Sequence, residues 1–144
     1  MRLTISTSVQ QSIQQVWAGF NQTLFGKLSP PFPPVRVVRF DGSQIGDEVH
    51  LELNFLFFKQ QWISLIIDQK NTKNEIYFID KGIRLPFFLS YWHHKHRLVS
   101  TEAGSKIIDE ITFRTPSILT DYLFFPLLYF QFLYRKPIYR KNFS

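Results

Sequence analysis

The chain has 144 residues, no cysteine, and 17 lysines and arginines against 11 acidic residues, for a net charge of +6. That length suits one domain over residues 1–144, with a single core that buries roughly two-thirds of the unfolded surface. The missing cysteines exclude a disulfide framework, a thiolate metal site and a thiol nucleophile, and they fit a reducing cytoplasm.

The basic residues are dispersed, apart from Arg135, Lys136, Arg140 and Lys141. No helix-turn-helix, zinc-finger or RNA-binding aromatic motif accompanies them, so nucleic acid is not an expected partner. Aromatic residues make up 17% of the chain, 16 of them phenylalanine. That surplus points to a lined cavity, an interface or a membrane-facing patch.

At the N-terminus Leu3, Ile5, Thr7 and Val9 alternate with polar neighbours, the period of a half-buried strand, and there is no apolar run of the kind a signal peptide needs. Ser12 and Gln15 then spell a capping box, and Ile13, Val16, Trp17 and Phe20 recur at helical spacing. A second short helix is expected from about Asn21 to Lys27, before the stiff stretch Ser29-Pro30-Pro31-Phe32-Pro33-Pro34.

Strand patterns follow at about Val35 to Asp41, Asp47 to Phe57, Gln61 to Gln69, Glu75 to Lys81, Phe88 to Thr101 and Ser105 to Thr115. Asp41-Gly42-Ser43, Lys70 to Asn74 and Ala103-Gly104 supply turn chemistry between them, which makes an antiparallel meander. From Ser117 to about Tyr134 the period changes to that of a long apolar helix, interrupted at Pro126 and expected to be buried. The order predicts an α+β fold, with a curved sheet wrapped around that helix.

The densest chemistry lies in Trp92-His93-His94-Lys95-His96. Strand alternation turns Trp92, His94 and His96 inward with Asp109 of the next strand, and sends His93, Lys95 and Arg97 outward. With Ala103-Gly104 as the two-residue loop, His94 pairs with Phe113, His96 with Ile111 and Leu98 with Asp109. Asp109 is then a diagonal neighbour of His96 at about 7–8 Å. A carboxylate turned inward must be paired, bonded or protonated. Pairing favours charge on His96 and burial opposes it. Asp80, in phase with Ile76 and Phe78, joins the same network if its strand is regular.

Taken in order, these residues resemble the SRPBCC superfamily, the helix-grip group that includes START domains, birch-pollen-allergen-like proteins and polyketide cyclases. The resemblance is carried by Val16-Trp17, Phe40-Asp41-Gly42, Gly46-Asp47-Glu48-Val49, Asp80, Pro86-Phe87, the Trp92, His94, His96 series, Asp109 and Pro116, and it spans nearly the whole chain. It is nearest to a bacterial branch with a Trp-x-His-x-His strand followed by Asp and Pro, although Ser117 stands where that branch commonly has glycine. The resemblance implies a seven-stranded curved antiparallel sheet around a long C-terminal helix, two short helices between the first two strands, and an internal cavity for an apolar small molecule.

The cavity residues expected are Phe55, Phe57, Phe78, Asp80, Trp92, His94, His96, Asp109, Tyr122 and Phe125. Val49, Leu51, Leu53, Phe55 and Phe57 give one strand an almost wholly apolar inward face, so the pocket should be greasy with one polar corner. Binding of a small hydrophobic or amphipathic molecule, with no cofactor, is the expected function. Two others compete. One is a cyclase- or dehydratase-like enzyme using His94 or His96 as acid or base oriented by Asp109. The other is a membrane- or protein-interaction module using the aromatic, basic C-terminal helix. A metal held by His94, His96 and Asp109 is geometrically conceivable, but His-x-His in an apolar strand is more often structural, and no metal is expected.

Overall fold

A computed structural model of the chain describes every residue except Pro31, so the proline-rich stretch expected at residues 29–34 lies partly outside the described residues. Seven strands form one curved antiparallel sheet: β1 (Arg2–Val9), β2 (Val35–Phe40), β3 (Glu48–Asn54), β4 (Lys59–Asn71), β5 (Glu75–Arg84), β6 (Tyr91–Thr101) and β7 (Gly104–Arg114). Their order is β1-β7-β6-β5-β4-β3-β2. The meander runs hairpin by hairpin from β2 to β7, and β1 closes against β7 with Ile5 opposite Asp109.

Two short helices separate β1 from β2, as expected: α1 (Ile13–Ala18) and α2 (Gln22–Leu28). The side chain of Ser12 accepts from the Gln15 backbone N–H, and the Gln15 side chain returns a bond to the Ser12 backbone, so the capping box forms. Asn21 caps α2 by accepting from Leu24 N–H.

The C-terminal helix is longer than its apolar run. It comprises α3 (Ile118–Leu133) and α4 (Arg135–Asn142), separated only by Tyr134. Pro126 lies inside α3 without ending it. The break falls where Pro137 has no N–H to give the Leu133 carbonyl. Ser117, in place of the glycine common in the similar branch, caps α3 by a capping box with Thr120.

The expectation of a buried gripping helix needs correction. Only Leu128 and Phe132 of α3 are buried, and Leu119, Tyr122, Leu123, Leu127 and Phe130 are exposed. The deepest contacts of the C-terminal helix come from Tyr139 of α4 and Phe143 just beyond it, which pack with Phe20, Leu24 and Phe78.

Two apolar clusters pack on the concave side of the sheet. One gathers Ile13, Val16, Phe78, Leu98, Ile107 and Tyr139, the other Leu3, Ile5, Trp92, Ile111, Phe113 and Phe132. On β6 the inward series reads Trp92, His94, His96, Leu98, so the two histidines stand between the clusters.

The β6–β7 register differs by two residues from the expected one. Thr101 pairs with Gly104, leaving Glu102-Ala103 as the loop, so His96 faces Asp109 and His94 faces Ile111. A shift of two keeps every side chain on its expected face. Gly104 is drawn into the strand because the end of β1 crosses it. Its φ is +149°, and a Cβ there would meet the Val9 carbonyl oxygen at 2.4 Å and that of Gln10 at 2.5 Å. Gly104→Ala should therefore cost about 2 kcal/mol or more. A urea denaturation midpoint that moves by under about 0.5 kcal/mol equivalent would show that this approach is not constrained.

Candidate functional site

Alternation on β5, β6 and β7 brings Asp80, Trp92, His94, His96 and Asp109 onto one inward patch, all of them buried. Direct pairing across the ladders does the rest: Asp80 lies opposite His94, Phe78 opposite His96, and His96 opposite Asp109. The shortest bonds nevertheless run on the diagonals. His96 Nε2 lies 2.6 Å from Asp80 Oδ2, and His94 Nε2 lies 2.8 Å from Asp109 Oδ1. Trp92 Nε1 donates to the other Asp80 oxygen at 3.1 Å.

The expected partnership of His96 with Asp109, and of His94 with an apolar neighbour, is therefore corrected. His94 holds Asp109, while His96 Nδ1 stands 3.8 Å from it. The imidazoles lie close together, with ring centroids 3.5 Å apart and planes tilted by 31°, and Phe78 stacks on His96 at 4.2 Å.

Burial alone would raise both carboxyl groups. For Asp80, the hydrogen bond from His96 and the nearby His94 more than offset it and hold the group below the usual carboxylate range. For Asp109, the bond from His94, with Arg135 nearby, does the same. Burial is also the main cause at His94, aided by the adjacent His96. Together they push His94 down to about 4, against the upward pull of Asp109 and Asp80. With Asp109 ionised and His94 neutral, the shared proton resides on His94 Nε2.

This corner is one wall of a cavity of about 850 Å³. Val37, Val49, Leu51, Leu53 and Ile66 line it from β2, β3 and β4, and Phe124, Leu128 and Gln131 from α3. Phe32, Phe87, Leu127 and Phe130 both line the cavity and are exposed, so they form its rim. Beside them Phe55 stacks on Phe58 at 5.3 Å.

Of the expected cavity residues, Phe55, Phe78, Asp80, Trp92, His94 and His96 line the cavity, and Asp109 backs it through His94. Three are placed elsewhere. Phe57 is 95% exposed. β3 ends at Asn54, and Leu56 takes a positive φ of 73° in the hairpin tip, so the strand alternation that aimed Phe57 inward stops before reaching it. Tyr122 is 65% exposed, and Phe125 packs over Phe113 at 6.5 Å. α3 instead presents the face through Phe124, Leu128 and Gln131.

Sequence reasoning missed Trp62, whose ring meets Trp92 edge-on at 4.8 Å, and Arg135, which lines the cavity from the start of α4. Helical spacing from Leu128 through Gln131 to Arg135 was the available signal. As for metals, Asp80, His94 and His96 bring ligand atoms within 4.8 Å of one another, so Asp80 rather than Asp109 completes the only such group among the described residues.

No known family's sequence profile matches the chain, and no curated protein sequence does. Solved structures do. The ZhuI aromatase/cyclase from Streptomyces sp. R1128 superposes with a TM-score of 0.65 at 11% identity, covering 95% of this chain and 89% of that one. Norcoclaurine synthase of Thalictrum flavum gives 0.62 at 15% identity, over 88% and 82% of the two chains. The protein Ara h 8.0201 gives 0.59 at 14% identity, over 96% of each. These structures share with this chain the helix-grip fold, a curved antiparallel sheet around a long C-terminal helix. In this helix-grip chain the sheet supplies the polar corner and α3 the apolar rim. No helix is long and apolar enough to cross a membrane.

The corner has a signature in acid. Folding holds His94 neutral, with its pKa lowered from 6.5 to about 4, so the unfolded chain takes up this proton first as pH falls. The contribution to stability is complete above pH 6.5 and is lost as pH falls toward 4, on the order of 3 kcal/mol in all. Asp80 and Asp109, held below their ordinary range, add losses of the same sign at lower pH. Urea midpoints measured across that window should fall steeply for the natural chain and more gently for His94→Asn. Equal slopes would show that His94 does not titrate as described.

Proposed function

We propose that this chain holds a small hydrophobic molecule in its cavity, tail among the β2–β4 and α3 side chains and polar end at the His-Asp corner, with no chemistry performed on it. The observation that carries this reading is the cavity itself: about 850 Å³, lined mostly by apolar and aromatic side chains. That volume falls in the range of about 300–1,000 Å³ common to ligand sites, where a few polar groups set orientation and apolar walls supply affinity. The fold shared with cyclases and with Ara h 8.0201 fits a hydrophobic ligand without naming it. The exposed rim of Phe32, Phe87, Leu127 and Phe130 suits entry of such a molecule from an apolar phase.

The polar corner favours holding over reacting. Each histidine Nε2 is engaged with a carboxylate, and Asp80 is bonded at both oxygens, by Trp92 and His96. A nucleophile needs an activating partner, and no Ser-His or similar pair stands among these residues; each imidazole Nδ1 is left without a hydrogen bond. The competing cyclase-like reading would draw on the same imidazoles.

Binding of the neutral fluorescent probe N-phenyl-naphthylamine tests the proposal. The natural chain should bind it and brighten it, and Val49→Trp, which puts an indole into the cavity from a half-buried position at the start of β3, should weaken binding by about tenfold or more while the thermal midpoint stays within a few degrees. Unchanged affinity in the folded variant would place the probe, and the function, outside the cavity.

A further inference from the structure

Three ligand-type atoms from β5 and β6 meet at the polar corner. Among the described residues, Asp80, His94 and His96 are the only group whose ligand atoms lie within 4.8 Å of one another, and all three side chains are buried and line the cavity. His96 Nε2 stands 2.6 Å from Asp80 Oδ2, and His94 Nδ1, which makes no hydrogen bond, stands 3.6 Å from the same oxygen. Groups outside the set hold the other atoms. His94 Nε2 lies 2.8 Å from Asp109 Oδ1, Trp92 Nε1 donates to Asp80 Oδ1 at 3.1 Å, and the His96 ring stacks on Phe78.

A neutral imidazole whose Nε2 proton goes to a carboxylate keeps a lone pair on Nδ1, and metal-ligating histidines are commonly oriented by an outer carboxylate in this way. The bond from Trp92 likewise fixes Asp80 with its second oxygen turned to the two imidazoles. Around a tetrahedral ion with bonds of about 2.0–2.2 Å, neighbouring ligand atoms lie about 3.3 Å apart. The 3.6 Å between His94 and Asp80 is already of that size. The 2.6 Å between His96 and Asp80 is a hydrogen bond, and it opens when an ion takes the place of the proton between them. Charge acts in the same direction. Asp80 and Asp109 are both held ionised in an apolar enclosure, and Arg135 is the only lysine or arginine among the residues that line it.

We infer that Asp80 Oδ2, His94 Nδ1 and His96 Nε2 form a three-ligand site for one zinc ion. Two imidazoles and one carboxylate suit zinc, whereas magnesium and calcium take oxygen ligands. Because the three side chains line the cavity, the fourth position of the ion faces its interior, where a water or an oxygen of the guest completes the tetrahedron. The site does not depend on the cavity reading above, since the walls hold an apolar guest with or without the ion.

The test titrates the full chain, without an affinity tag and stripped of metal by a chelator, with Zn²⁺ by calorimetry and with Co²⁺ by visible absorption. One Zn²⁺ should bind per chain with a Kd of about 1 μM or tighter, Co²⁺ should give the intense visible bands of four-coordinate cobalt, and Mg²⁺ should not compete. Asp80→Asn and His96→Gln should each weaken zinc by about a hundredfold or more, and His93→Ala, on the other face of β6, should leave it unchanged. Substitution inside this buried network can impair folding, so nitrogen–proton NMR of the natural chain decides the case on its own. Zinc should move the His94 Nδ1 and His96 Nε2 resonances and leave the proton on His94 Nε2 in place. Zinc binding weaker than about 100 μM, binding that survives both substitutions, or shifts confined to His50 and His93 overturns the site. A chain that binds N-phenyl-naphthylamine but not zinc overturns the site and leaves the cavity reading standing; one that binds zinc but not the dye does the reverse.

Discussion

Two carboxylates point into the concave side of this sheet, and much of the surrounding structure follows from the need to satisfy them. Asp80 and Asp109 sit among phenylalanines and isoleucines, where an unpaired ionised carboxylate is prohibitively costly. Two adjacent imidazoles and an indole N–H between the strands meet that need, and the diagonal pairing ties β5, β6 and β7 together by side chains as well as by their backbone ladders. Removing a single member would leave a buried charge exposed to nothing, which is why such a network behaves as one unit.

The same network explains why the interior is not filled. Apolar side chains pack continuously above it and below it, as two separate clusters, and neither cluster extends across the polar belt. β2, β3 and the long β4 wall the cavity with Val37, Val49, Leu51, Leu53, Trp62 and Ile66, and α3 lines it with Phe124, Leu128 and Gln131. What is left is an enclosure with greasy walls, a fixed acidic and imidazole corner, and an arginine from α4. Helix, sheet curvature and polar belt together define where the ends of a guest would lie.

Most of the architecture was legible in the sequence because period and capping act locally. The alternation in β1, the Ser12–Gln15 box and the turn residues between strands needed no tertiary knowledge. The inward grouping of Trp92, His94, His96 and Asp109 was legible for the same reason, since a two-residue error of register leaves strand faces intact. The exact partners were not. They depend on where Gly104 falls, and that is set by the close passage of β1, a contact remote in sequence. Phe57 was misplaced because alternation says nothing about where a hairpin turns, and Leu56 turns it early. Tyr122 and Phe125 were misplaced because α3 is apolar on every side, so no amphipathic stripe marks the face toward the cavity. Arg135 was read as part of a surface basic cluster; only its burial against Phe132 and the cavity distinguishes it from Arg140 and Lys141.

The central claim is that the His-Asp corner is a fixed wall in which each imidazole Nε2 is bonded to a carboxylate, with a neutral His94 donating to an ionised Asp109. Nitrogen–proton correlation NMR of the imidazole rings at neutral pH tests it most directly. The account predicts that His94 carries a single, slowly exchanging proton on Nε2 and none on Nδ1. A doubly protonated ring, a proton on Nδ1, or rapid exchange showing that the ring turns freely would contradict it.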